Sequence, residues 1–141
     1  MRNIVLASLL AASPALADDP ILTPFDGSFD DASFAVESTI VGRGLVIDFV
    51  SHVGDMLNRT GADVGSGTKI FDKANIFLFC SAVVSRQVME ADPSNIQHCP
   101  YGIFVTEIDG EVMIGYRDYP DGPMDIVETL LQDIVREASE F

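Results

Sequence analysis

Five side chains in this sequence have the chemistry of a ligand or a nucleophile: Cys80, Cys99, His98, His52 and Met89. Three arrangements of them are open. Two cysteines in an exported chain most often pair, and a Cys80–Cys99 disulfide would close a loop of about 20 residues, stabilising the fold by ~3 kcal/mol in the chain-entropy picture. A redox or thiol-reactive pair is the second, because Cys80 stands just before Ser81, an expected helix N-cap where the dipole and free N–H groups favour thiolate. His98 beside Cys99 would add to that reactivity. The C-x-x-C spacing is absent, however, and acidic surroundings oppose thiolate formation. The third is metal or haem ligation by His98, His52, Met89, Cys80 and Cys99, soft and borderline donors suited to copper, zinc or haem iron. C-x-x-C-H does not occur, which restricts haem to non-covalent binding. Neighbours such as His98 and Cys99 point to opposite sides of an extended segment, so shared ligation by both is hard.

No residue is assigned a catalytic role. Glu107, Asp109, Glu111 and Asp118 read as solvated hairpin carboxylates, and there is no Ser-His-Asp, paired-carboxylate or metalloprotease pattern. Gly65-Ser66-Gly67-Thr68-Lys69 lacks the spacing of a phosphate loop and reads as a connector. Cofactor identity stays unknown, with no cofactor as the first expectation and a metal or non-covalent haem as the alternative.

The elements that position these residues follow a helix-and-strand rhythm. Residues 21–23 suit a short edge strand. Ser28 with Asp31 resembles a capping box opening a helix to about residue 41, with Ala32, Val36, Ile40, Phe34 and Val41 as its apolar stripe. Residues 45–52 are rich in β-branched side chains, with Leu45, Ile47 and Phe49 expected on one face. A short helix over 53–60 turns Val53, Met56 and Leu57 inward. Residues 74–80 form the most apolar strand and are expected at the centre of the sheet, covered on both faces. Ser81 then caps a helix that Asp92-Pro93 ends. Strands at 101–108 and 111–117 flank Asp109-Gly110, a hairpin signal that sets Val105 opposite Ile114 and Ile103 opposite Tyr116. A helix over 124–139 buries Val127, Leu130, Leu131, Ile134 and Ala138. Together these elements predict one α+β domain, a mostly antiparallel sheet with helices packed on one face.

The N-terminus carries an address. Met1-Arg2-Asn3 is a short positive region, residues 4–12 are apolar, and Ala15-Leu16-Ala17 is a small-x-small cleavage pattern. Residues 1–17 therefore read as a signal peptide cut after Ala17, giving a periplasmic or secreted protein, with 18–27 as a lead-in segment. The apolar run falls short of the roughly 18 residues of a spanning helix and contains Pro14, so no membrane insertion is expected after cleavage.

Eight Lys and Arg face 22 Asp and Glu, a formal net charge of −14, while 48% of residues are hydrophobic. Such a chain is a folded globule with an acidic surface that repels phosphate backbones. Nucleic acid is excluded as a partner, and a basic protein or small ligand is admitted.

Residues 28–120 resemble the small prokaryotic family known as domain of unknown function 302. The resemblance rests on the opening helix followed by Gly44-Leu45-Val46, and on Ile76-Phe77-Leu78-Phe79-Cys80. It continues through Cys99-Pro100 leading into Tyr101-Gly102-Ile103-Phe104-Val105, and Asp109-Gly110-Glu111-Val112 running on to Tyr116. The more particular part of the resemblance is to an exported, cysteine-containing branch, with residues 121–141 as a C-terminal amphipathic helix beyond the matched stretch. The resemblance implies an α+β fold that tends to self-associate, so a homodimer is expected, and it brings no activity. The expected function is an exported binding or accessory module, non-enzymatic, with a Cys80–Cys99 disulfide. The alternative is a thiol-redox or metal- or haem-binding protein of periplasmic electron or sulfur metabolism using Cys80, His98 and Cys99.

Overall fold

A computed structural model describes residues 19–141; the proposed signal peptide and its cleavage site lie outside them. Eleven segments follow one another: β1 (Ile21–Phe25), α1 (Phe29–Gly42), β2 (Val46–Ser51), α2 (Val53–Thr60), a 3-10 turn (Ala62–Val64), β3 (Lys73–Cys80), α3 (Ala82–Ala91), a 3-10 helix (Pro93–His98), β4 (Tyr101–Ile108), β5 (Glu111–Tyr116) and α4 (Asp125–Ser139). The strands form one antiparallel sheet in the order β1-β5-β4-β3-β2. The fold is α+β, as expected.

Local sequence explains the element ends. The Ser28 hydroxyl accepts from the Asp31 N–H while the Asp31 carboxylate accepts from the Ser28 N–H, a capping box at the positive end of α1. At the hairpin, Asp109 and Gly110 both adopt positive φ, 52° and 81°, the pair of left-handed residues that a two-residue turn between twisted strands requires. The turn fixes the register, and Val105 pairs with Ile114 and Ile103 with Tyr116.

One face of the sheet carries the core. Phe77 and Phe79 from β3, Ile103 and Val105 from β4, and Ile114 from β5 meet Ala32, Val36 and Ile40 of α1 and Val127, Leu131 and Ile134 of α4. Each large side chain wholly withdrawn from water here contributes roughly 1.5–3 kcal/mol. At their far ends α1 and α4 are joined by Arg43, which donates to Glu137 at 2.8 Å and to the Asp133 carbonyl at 3.3 Å. Gly54 lets α2 approach β3, since a Cβ there would collide with the Ala74 backbone.

Four expectations are corrected, the first being that Met56, expected to turn inward on α2, is 41% exposed. Phe34 and Val41 are 64% and 57% exposed rather than part of the α1 stripe. Phe34 lies two residues from both Ala32 and Val36, about 200° around the helix, which turns it away from the core. In β2 the register shifts between Ile47 and Phe49, so Ile47 and Val50 face the helices, and Phe49 pairs with Leu78 on the other side. The bulge at Asp48 breaks the strict alternation. Finally, β4 and not β3 is the central strand, and Ile76 and Leu78 on the second face of β3 are only half-buried. The two margins of the sheet are β1, which contains Pro24, and the bulged β2.

Candidate functional site

Cys80 ends β3 and Cys99 immediately precedes the cis Cys99–Pro100 peptide at the start of β4. The two strands are antiparallel neighbours whose final register pair is Phe79 with Tyr101, so both cysteines arrive at one end of the sheet. Their Cα atoms lie 6.7 Å apart and their sulfurs are at disulfide-bonding distance. Between them the chain runs out through α3 and back through the 3-10 helix, and the pair clasps the base of that excursion. Asn95 Nδ2 donates to the Val88 carbonyl at 2.9 Å, and Asp92 accepts from the Ser94 N–H at 2.8 Å. The first bond ties the outgoing arm to the returning one, and the second caps the 3-10 helix.

Behind the cysteines is an aromatic wall. Tyr101, almost wholly buried, stands edge-on to Phe79, and its hydroxyl lies 3.1 Å from the Ser85 hydroxyl. Ser85 Oγ is also 4.0 Å from Cys99 Sγ. Tyr119 packs edge-on against both Tyr101 and His98. Its hydroxyl is buried with no hydrogen-bond partner among the described residues, and burial pushes its pKa up to about 12. A phenol so placed stays neutral across the physiological range.

The backbone N–H of Tyr119 donates to Glu128 Oε1 at 2.7 Å, fastening the connector before α4 to that helix. Burial raises the Glu128 carboxyl above its ordinary pKa, the bond from Tyr119 acts against the shift, and hydrogen bonding to Asp118 adds to it. Asp118 itself is exposed.

The other candidate residues are spread out. His52 Nδ1 lies 2.8 Å from Asn75 Oδ1, near the opposite end of β3 from Cys80, a distance of about 16 Å at ~3.3 Å per strand residue. Met89 is half-buried one turn beyond Ser85 on α3, and His98 is half-buried against Tyr119. Among the described residues no three His, Cys, Asp or Glu side chains converge closely enough to hold a metal ion. No helix among them is long and apolar enough to cross a membrane. Of the hairpin carboxylates, Asp109 gives its backbone N–H to Asp72 at 2.7 Å, and Asp109 and Glu111 are exposed. Sequence reasoning missed Ser85, Tyr101 and Tyr119. Tyr101, two residues after Cys99 in a strand, carried a usable signal; Tyr119, in an aperiodic turn, carried none.

A second feature is the face of the sheet that α1 and α4 leave bare. Val46 and Phe49 of β2 are 71% and 62% exposed, and Leu22 of β1 is 48% exposed. Between them lie half-buried Ile76, Leu78, Phe104 and Met113. Gly115 and Gly102 sit in the middle of this face, and a Cβ at Gly115 would meet the Phe104 ring and Leu22. The glycines let those side chains lie down along the sheet.

Comparison with known proteins places these features in a family. The family model described as "Domain of unknown function DUF302" matches residues 21–140. A solved structure of an uncharacterized conserved DUF302 protein from Bacillus stearothermophilus is similar, with a TM-score of 0.61 and 14% identity over 86% of this chain and 90% of that one. At that identity the likeness speaks for the fold. No curated protein matches the chain.

Proposed function

The chain belongs to the DUF302 family, and from there we propose that it is an exported, non-enzymatic binding or accessory module held by a structural Cys80–Cys99 disulfide. The observation that carries this reading is the placement of the two sulfurs, at bonding distance across the base of the α3 excursion. A disulfide in that position does a fold-holding task, and an oxidising compartment is where such bonds persist. The N-terminal sequence supplies the route to that compartment. Binding is assigned to the bare apolar face of the sheet, because a sheet buries an apolar face against something.

A second reading, a thiol-redox or metal- or haem-linked protein, is favoured by the place of Cys80 one residue before the Ser81 cap of α3, whose Oγ accepts from the Val84 N–H. The donor adjoining the pair would be His98, next to Cys99 in the chain, with His52 too distant to join it.

Intact-mass spectrometry after alkylation separates the two, applied to protein recovered by cell fractionation without reductant. The first reading expects an extracytoplasmic, unalkylated chain that starts at Asp18, two mass units light and stable to mild reductant. Alkylated thiols, a bound metal or a haem absorption band would overturn it in favour of the second, and a cytoplasmic full-length chain would overturn export.

A further inference from the structure

We propose that the bare face of the sheet seats an amphipathic helix of another protein, its apolar side on the sheet and a basic end at the β4–β5 hairpin. This deepens the docking role given to that face above and rests on it.

Relief sets the shape of the occupant. The most exposed apolar side chains stand at the margins, Val46 and Phe49 on β2 and Leu22 on β1, while Ile76, Leu78, Phe104 and Met113 between them are half-buried. Gly102 and Gly115 put no side chain of their own into the middle, where Phe104 and Leu22 lie over Gly115. The result is a shallow trough along the strands. Its margins are four strand spacings apart, about 19 Å, and six residues make it about 20 Å long, room for one helix ~10 Å wide and about 14 residues long. An added strand fits less well, since Pro24 on β1 and the bulge in β2 spoil both margins for pairing. A helix on this face would repeat what α1 and α4 do on the other, giving three layers.

Charge sets the sequence of the occupant. At the hairpin end of the same face, Thr106, Ile108, Asp109, Glu111 and Met113 line a shallow cavity of about 330 Å³. Asp109 and Glu111 form no ion pair among the described residues, and Asp72, which accepts from the Asp109 N–H, is paired with Lys69. The cavity thus joins an apolar floor to two uncompensated carboxylates. A Lys or Arg matches both, its aliphatic stem on Ile108 and Met113 and its charge at the rim. Arg117 follows the last residue of β5 at the opposite end, so the face is negative at one end only and gives the helix a direction. The net charge of −14 draws a cationic segment in from a distance.

The probe is a synthetic amphipathic peptide of about 14 residues, leucines on one side and lysines on the other, with a counterpart carrying glutamate for lysine. Titrated into the purified protein, the lysine peptide should bind once per chain by calorimetry, gain helical circular dichroism as it binds, and weaken with salt, while the glutamate peptide should not bind. Val46→Gln with Phe49→Gln should weaken it ~10-fold or more, the loss expected for apolar anchors. Asp109→Asn with Glu111→Gln should weaken it ~10-fold at low salt and flatten its salt dependence. Asparagine tolerates the left-handed φ of position 109, so the hairpin should hold. Glu37→Gln with Glu140→Gln, exposed on the helical side of the sheet, removes the same charge and should leave the affinity within about twofold.

No binding, binding without helix formation, or an equal loss in the Glu37 and Glu140 variant overturns the proposal, the last by showing unselective attraction. A concentration-dependent dimer that the β2 changes split gives the face to a second copy and overturns it too. Nile red separates this failure from failure of the docking role. Dye fluorescence that still falls in the β2 variant keeps the docking face and loses the basic helix; a face that takes neither dye nor peptide loses both.

Discussion

Tyr119 meets His98 edge to face, ring centroids 5.6 Å apart, and the same tyrosine stands edge-on to Tyr101 at 6.3 Å. One ring thus joins the half-exposed end of the 3-10 helix to the buried start of β4. The contact is carried by ring packing, since the Tyr119 hydroxyl bonds to nothing described.

Tyr119→Phe should therefore be neutral or stabilising by up to about 1 kcal/mol, because it removes a desolvated hydroxyl and breaks no hydrogen bond. Urea denaturation checks this; a loss above that size would reveal a polar role for the hydroxyl.

Alkaline titration reads the same residue. Its folded pKa of about 12 lies above the ordinary 10.0, so its stabilising share is present below pH 10 and lost as pH rises towards 12. Phenolate absorbance should show a tyrosine titrating near pH 12, and that step should vanish in the Tyr119→Phe variant.

Glu128 gives the acid-side counterpart. Its carboxyl titrates above the ordinary 4.5, chiefly through burial, so its contribution is full below that value and is lost as pH rises through the raised one. Glu128→Gln keeps an acceptor for the Tyr119 N–H without the charge. It should match or exceed the parent's stability at pH 7, the gap closing towards pH 4, while Glu128→Ala should cost about 1 kcal/mol. Thermal melts across pH decide it.

Gly54→Ala should destabilise by roughly 1–3 kcal/mol, since the new methyl group collides with the Ala74 backbone and not with a movable side chain. Chemical denaturation checks it, with Gly67→Ala as a control in open space.

Cys80→Ser, Cys99→Ser and the double variant should each cost ~3 kcal/mol, the double no more than either single, because all three remove the same cross-link. The difference from the parent should disappear when the parent is measured under strong reductant.

Features set by neighbours in the chain were legible in the sequence. Ser28 with Asp31 and Asp109 with Gly110 announced a helix start and a hairpin register, whereas the antiparallel pairing of β3 with β4, the condition for Cys80 to meet Cys99, had no local signal. What stayed hidden depends on a single inserted residue or on what lies across the sheet. The bulge at Asp48 sends Phe49 to the bare face against the alternation of its strand. An apolar β3 does not say whether its second face is covered, and Tyr119 reaches the core from a turn where no period applies.

The two margins of the sheet bear on how this protein can grow. Pro24 removes a backbone donor from β1, and the bulge kinks β2, so neither outer strand offers a straight, fully equipped ladder to an incoming strand. Lateral extension into a ribbon is therefore disfavoured at both sides. Crowding at high concentration should accordingly leave this chain free of fibrils that grow by adding strands at either margin.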